Sequence, residues 1–225
     1  LLLLPVALLA QPSDDPIERA ARLLATNLTE GKRLLAVSLE QAQAAGDPHY
    51  MIAAYRMDSL RVPDAVLAEL GVHRKIKQYL SDGLNGTTLT HARAAYLSAA
   101  MGLFGDQNSR DSTLWLYNHA LEILGRQGNN KSLIAERCYQ GLGDIYKYFL
   151  YRAGEAEQMY SKSLEILETT PHADPYRLIR VYYNLAATNR TQADYQKALS
   201  YGMACIKKCK ETGQTVWLEQ VYTIV

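Results

Sequence analysis

The chain has 225 residues, 48% of them hydrophobic and 21% charged, an ordinary globular composition that excludes a disordered segment. Its 24 lysines and arginines nearly cancel 23 aspartates and glutamates, and the net charge of +1 supplies no global field for nucleic acid or an anionic membrane, so no nucleic-acid partner is expected. Three cysteines, Cys138, Cys205 and Cys209, are too few for a disulfide framework, while sixteen Tyr against two Phe and two Trp suit rings packed between helices with hydroxyls toward water.

Leu1 to Ala10 is an apolar run with one proline, followed by the polar stretch Gln11-Pro12-Ser13-Asp14-Asp15. Ten residues reach about 15 Å as a helix, half of a bilayer core of about 30 Å, so the run does not span a membrane. It reads as the back half of a signal peptide over 1–10, with Ala10 before the cleavage point and 11–15 as a linker. The other reading is a truncated apolar helix. Export implies an extracytoplasmic location, periplasmic or at the cell surface. The missing methionine and basic start imply a fragment, in which any membrane tether lies outside the chain. Asn-x-Ser/Thr sequons at Asn27, Asn85, Asn130 and Asn189 carry meaning only in eukaryotic secretion, and Asn189 falls inside a predicted helix.

Asp15-Pro16 supplies a cap and a first-turn proline for a helix over about 16–26 with Ile17, Ala20, Ala21 and Leu24 on one stripe. Thr29 caps a second, with Leu34, Leu35, Ser38, Leu39 and Ala42 on one face, ended by Gly46-Asp47-Pro48. A third helix runs from Pro48 to Leu60, Val62-Pro63-Asp64 interrupts it, and a weaker one follows from Gly71 to Leu80. Its basic run His73-Arg74-Lys75-Ile76-Lys77 reads as a solvated face. After a turn at 83–87, a small-residue helix carries Ala92, Ala94, Ala95, Ala99 and Ala100, and its partner carries Leu114, Tyr117, Ala120, Leu121 and Leu124. Helices are then predicted at about 131–150, 154–168, 174–190 and 193–211, and residues 214–225 begin another.

The pairs Ser38-Leu39, Tyr79-Leu80, Ala120-Leu121, Ser163-Leu164 and Cys205-Ile206 recur at steps of 41, 41, 43 and 42 residues. A period of that size holds two helices and two turns, which cannot bury their own apolar face and must stack. The expected architecture is all-α, a right-handed superhelical solenoid of stacked antiparallel helix pairs. Its units cover about 16–46, 48–82, 88–127, 131–169 and 173–212, five units of 41–43 residues, with a partial sixth over 214–225.

Chemistry finds little to rest on. Gly141-Leu142-Gly143 lies within a helix and suits close packing rather than a phosphate loop. His49, His73, His91, His119 and His172 are dispersed, without His-x-x-x-His spacing or a helical carboxylate partner. Cys205 and Cys209 lie four apart on one helix face, as small core residues or as a redox pair or half of a metal site. No catalytic residue, metal or cofactor is expected.

From 131 to 212 the chain resembles the tetratricopeptide repeat. Leu142-Gly143 and Tyr146 are followed by Ala156, Tyr160 and Ser163-Leu164, then Leu185-Ala186, Tyr195, Ala198 and Cys205. Earlier units keep less of the pattern, Phe104, Tyr117 and Ala120 in the third and Gly31, Leu35 and Ser38 in the first. The usual unit has about 34 residues, so helices or turns here are longer. The small residues Gly143, Ala156, Ala186 and Ala198 stand where helices approach closely.

The resemblance implies a concave face lined by first helices that hold an extended peptide. On it Asn184 takes the place of a peptide-binding asparagine, with Arg180 one turn earlier and Arg137 in the matching place of the preceding unit. Gln140, Asp144, Tyr148 and Tyr183 are their neighbours. An asparagine both donates and accepts toward a peptide bond, and an arginine grips a carboxylate with two donors. The expected function is a non-catalytic exported module binding a peptide or protein segment, the sensory or interaction region of a larger signalling protein. The alternative is a periplasmic or surface scaffold without a sensing role.

Overall fold

The computed structural model describes residues 15–82, 86–102, 107–215 and 217–224. Among these there are twelve helices and no strand, packed in adjacent pairs. They fall into two compact units that divide between residues 84 and 85. The apolar run Leu1–Ala10 and Phe104 lie outside the described residues. No helix among the described residues is long and apolar enough to cross a membrane.

The first unit holds α1 (Pro16–Leu23), α2 (Leu28–Ala44), α3 (Asp47–Ser59), α4 (Asp64–Glu69) and α5 (Val72–Asp82). The Asp15 carboxylate accepts from the amides of Ile17 and Glu18, and Pro16 occupies the first turn, where its missing N–H costs nothing. The cap of α2 is Asn27, whose Oδ1 accepts from the Glu30 amide at 3.1 Å, and not Thr29 as the sequence suggests. Gly31 lies where α1 and α2 close, since a Cβ there would stand 2.8 Å from the Leu24 side chain.

The helix expected from Gly71 is α5, and a further short helix, α4, stands between it and Pro63. Pro63 precedes α4, and Gly71, at φ +76°, turns the chain into α5. The basic run on α5 is only partly solvated. Val72, Ile76 and Leu80 are buried, Lys75 pairs with Asp47 at 3.2 Å, and His73 meets Asp64 at 2.9 Å. His73 therefore has the carboxylate partner that the sequence did not reveal, and His119 faces Glu122 one turn on, at 3.9 Å.

The second unit holds α6 (Leu89–Gly102), α7 (Gln107–Arg126), α8 (Leu133–Tyr148), α9 (Ala153–Thr169), α10 (Pro175–Thr191), α11 (Tyr195–Thr212) and α12 (Leu218–Tyr222). Helices α6 and α7, α8 and α9, and α10 and α11 pair most extensively, α9 also packs on α10, and α12 rests on α11. Caps are local: Ser132 accepts from the Ala135 amide, Asp174 from Tyr176 and Asp194 from Lys197.

Left-handed backbone recurs at matching turns. Tyr151 and Ala193, 42 residues apart, both have positive φ between the helices of a pair, and Gly128, His172 and Gly213 do so between pairs. Successive pairs also touch alike. The Arg110 guanidinium lies 5.1 Å from the Phe149 ring, and Glu157 accepts from Gln192 at 3.0 Å and Lys197 at 3.1 Å.

Close approach depends on two glycines of α8. A Cβ on Gly141 would come within 2.4 Å of the Tyr117 ring, and one on Gly143 within 2.5 Å of the Tyr160 ring. Gly143→Ala is therefore expected to lower stability by about 1–2 kcal/mol despite alanine's better helix propensity, because the fully buried Tyr160 ring must move. Tyr151, at φ +54° and 85% exposed, predicts the reverse: Tyr151→Gly should stabilise by about 1 kcal/mol by relieving a left-handed turn. Urea unfolding followed by circular dichroism reads both shifts, and opposite signs are the expected result.

Candidate functional site

Helix α8 places Glu136, Gln140 and Asp144 at four-residue spacing, so that all three lie on one face, and all three are buried. Helix α10 faces them with Arg177, Arg180 and Asn184. The Glu136 carboxylate accepts from the Ser163 hydroxyl of α9 at 2.7 Å and pairs with Arg177 of α10. Two turns further along, the Asp144 carboxylate accepts from the Tyr160 hydroxyl of α9 at 2.7 Å, from Arg180 Nη2 at 2.6 Å and from Asn184 Nδ2 at 3.4 Å. Between these anchors, the buried Gln140 has no hydrogen-bond partner for its Nε2 among the described residues.

Of the residues singled out from the sequence, Arg180 and Asn184 meet on Asp144, with roles the sequence did not show. Asn184, 3% exposed, donates to Asp144 and stands behind the surface rather than on it. Asp144 is the shared acceptor of the cluster. Arg180 reaches it while its own side chain stays 38% exposed. Arg137 is turned the other way along α8, donating from Nη1 to the Tyr96 hydroxyl of α6 at 3.0 Å. Tyr148 is half exposed and Tyr183 partly so.

A residue that sequence reasoning passed over completes the group. The Lys147 ammonium lies 4.8 Å from the Tyr148 ring centroid and 5.8 Å from that of Tyr183. Tyr183 in turn packs 5.1 Å from the Trp217 ring, which also meets Tyr176 at 5.9 Å. Arg190, on the last turn of α10, donates to the Thr223 carbonyl at 2.7 Å. The signal available in sequence was the run Asp144, Lys147, Tyr148 at helical i, i+3, i+4 spacing.

Burial pushes the Asp144 carboxyl above the usual carboxylate range, against the opposing pull of Arg180, Tyr160 and Lys147. Burial also holds the Lys147 amine down to about 8; Asp144 opposes that shift and Arg190 adds to it. The Tyr148 phenol is raised by burial and by the charge of Asp144.

Nucleophilic chemistry has no support in this arrangement. Cys138, Cys205 and Cys209 are buried, and burial raises each thiol, Cys205 to about 12. Cys205 Sγ contacts the Ile179 carbonyl at 3.5 Å in the seam between α10 and α11. No group of three potential metal ligands occurs among the described residues. What remains is a wall over α8 and α10 that carries Lys147, Arg180 and Arg190 and keeps Glu136 and Asp144 beneath.

No family model and no curated protein matches the chain. Among solved structures it is similar to the crystal structure of BtubC (BKLC) from P. vanneervenii, with a TM-score of 0.57 and 20% identity over 88% of this chain and 89% of that one. At that identity the likeness bears on the helical fold alone.

The geometry predicts a stability role for Asp144. Asp144→Ala strands the Tyr160 hydroxyl and one edge of Arg180, and should cost about 2–3 kcal/mol. Asp144→Asn isolates the charge. With its folded value raised, the carboxyl binds more protons folded than unfolded, so the wild type loses stability as pH climbs from the ordinary carboxylate value through the raised one. Urea midpoints of the wild type should therefore fall relative to Asp144→Asn as pH rises above about 4, the ordinary carboxylate value; a constant difference would refute this.

Proposed function

We propose that the chain is a non-catalytic repeat module of the tetratricopeptide type, a right-handed superhelical stack of about five helix pairs, whose α8–α10 wall binds an acidic peptide segment of a partner protein. The observation that carries this reading is Arg180, whose side chain is 38% exposed while it pairs with an Asp144 side chain only 9% exposed. Arg180 is anchored on Asp144 and still reaches solvent, which suits a ligand carboxylate.

The charge balance supports an anion. Lys147 and Arg190 add positive charge beside Arg180, and Asp144 is committed to three donors from α9 and α10. The rings of Tyr148 and Tyr183 offer flat apolar area for a neighbouring side chain or peptide plane. The recurring turns at Tyr151 and Ala193, and the like contacts of Arg110 and Glu157 with the next pair, support stacked repeats.

The module is read as exported, the input region of a signalling protein in which ligand binding biases the curvature of the stack. That part rests on the apolar start of the sequence and on architecture alone. A scaffold role would use the same wall with a permanent partner.

The test is titration of N-acetylated octaglutamate, with octalysine as control, into the intact chain. Arg180→Ala is expected to weaken octaglutamate binding by about tenfold or more with helicity unchanged, and raised salt should weaken it further. Asn184→Ala should weaken it less, by way of a loosened Asp144. Equal affinity for both peptides, or for wild type and Arg180→Ala, would overturn the reading.

A further inference from the structure

Lys147 stands apart from the ion pairs around it. Its ammonium lies between the Tyr148 and Tyr183 rings and makes no ion pair among the described residues. The titratable groups facing it are Asp144 and Tyr148 from α8, and Tyr183, Arg180 and Arg190 from α10. Helix α9 contributes Tyr160, which is bonded to Asp144. Helices α6 and α7 meet α8 nearer its start, through Tyr96 on Arg137 and Tyr117 beside Gly141. The nearby acid is therefore held by other donors, and a second cation, Arg190, stands close.

We propose that an anion reaching this wall arrives with a proton: the ligand's negative charge beside Lys147 and Arg180 supplies the counter-charge the amine lacks, and Lys147 takes a proton from solvent as the ligand binds. The inference rests on the reading of the wall as an acidic-peptide site and adds a property that reading does not require. Two rings and the helix pair strip water from the amine without replacing it by a carboxylate, so the charged form is under-stabilised until a ligand carboxylate comes in front. Proton and anion are then ligands of one site, and each raises the affinity of the other by the same factor.

The amine's value near 8 sets the scale. At pH 8 roughly half of the molecules hold Lys147 neutral, so roughly half a proton is taken up per ligand bound, and little at pH 6.5, where the ammonium is already formed. By the same linkage, affinity for an anionic peptide declines as pH rises above 8, by up to about tenfold per pH unit.

The experiment is isothermal titration calorimetry of N-acetylated octaglutamate into the intact chain, in buffer pairs of different ionisation enthalpy, at pH 6.5 and 8. Wild type is expected to take up roughly half a proton at pH 8 and almost none at pH 6.5. Lys147→Arg keeps the charge but cannot lose its proton at these pH values, so it should bind without uptake at either pH. Lys147→Met should bind more weakly, also without uptake. Binding by wild type with no uptake at pH 8, or equal uptake by Lys147→Arg, overturns the coupling while leaving the peptide site standing. Absence of any binding heat for wild type at both values overturns the peptide site and the coupling with it.

Discussion

Two carboxylates on α8, Glu136 and Asp144, each hold three helices together, and the rest of the second unit is arranged around them. Burying a carboxylate is costly unless partners replace its water, and removing one partner afterwards leaves a charge stranded. Each here takes a hydroxyl from α9 and a guanidinium from α10, Ser163 with Arg177 and Tyr160 with Arg180. Eight residues separate the two anchors, a little over two turns or about 12 Å along the axis. Two anchors at that spacing fix the register of α10 against α8, since a slip of one turn would break both sets at once. Apolar packing alone, through Leu164, Val181 and Leu185, carries no such register.

Closeness is the second requirement, and it explains the glycines between the anchors. Hydrogen bonds near 2.7 Å from α9 demand that its backbone lie close to α8, and Gly141 and Gly143 leave the space that the rings of Tyr117 and Tyr160 fill. The tyrosine then does two jobs, its ring packing on the glycine and its hydroxyl reaching the carboxylate next in sequence. The high tyrosine content of the chain has a physical reason here, for phenylalanine would supply the ring without the donor.

Much of this frame could be read from the amino acids. The step from Ser163-Leu164 to Cys205-Ile206 placed α9 and α11, and the small residues at 143, 156, 186 and 198 marked close contacts. Asn184 and Arg180 meet on Asp144, yet the burial of Asn184 and Asp144 was not legible, because it depends on how near two helices forty residues apart come to rest. Helix α4 escaped because six residues between Pro63 and Gly71 are too few for a 3.6-residue period to show. Asn27 was passed over as a cap because Thr29, two residues on, is an equally good capping type. What sets Lys147 apart is Tyr183, on another helix.

Tyr183 also joins the wall to the last described helix. Its ring forms one side of the Lys147 environment and packs against Trp217, just before α12, while Arg190 is tied to the Thr223 carbonyl just after it. The two α10 side chains that bear on Lys147, one aromatic and one cationic, are therefore both held from the two ends of α12. A displacement of α12 would move the ring and the guanidinium together, changing both the screening of Lys147 from water and the like charge beside it. The electrostatics of the wall are in this way coupled to the position of the helix that follows α11, through a π contact and a backbone carbonyl rather than through any change in α8 itself.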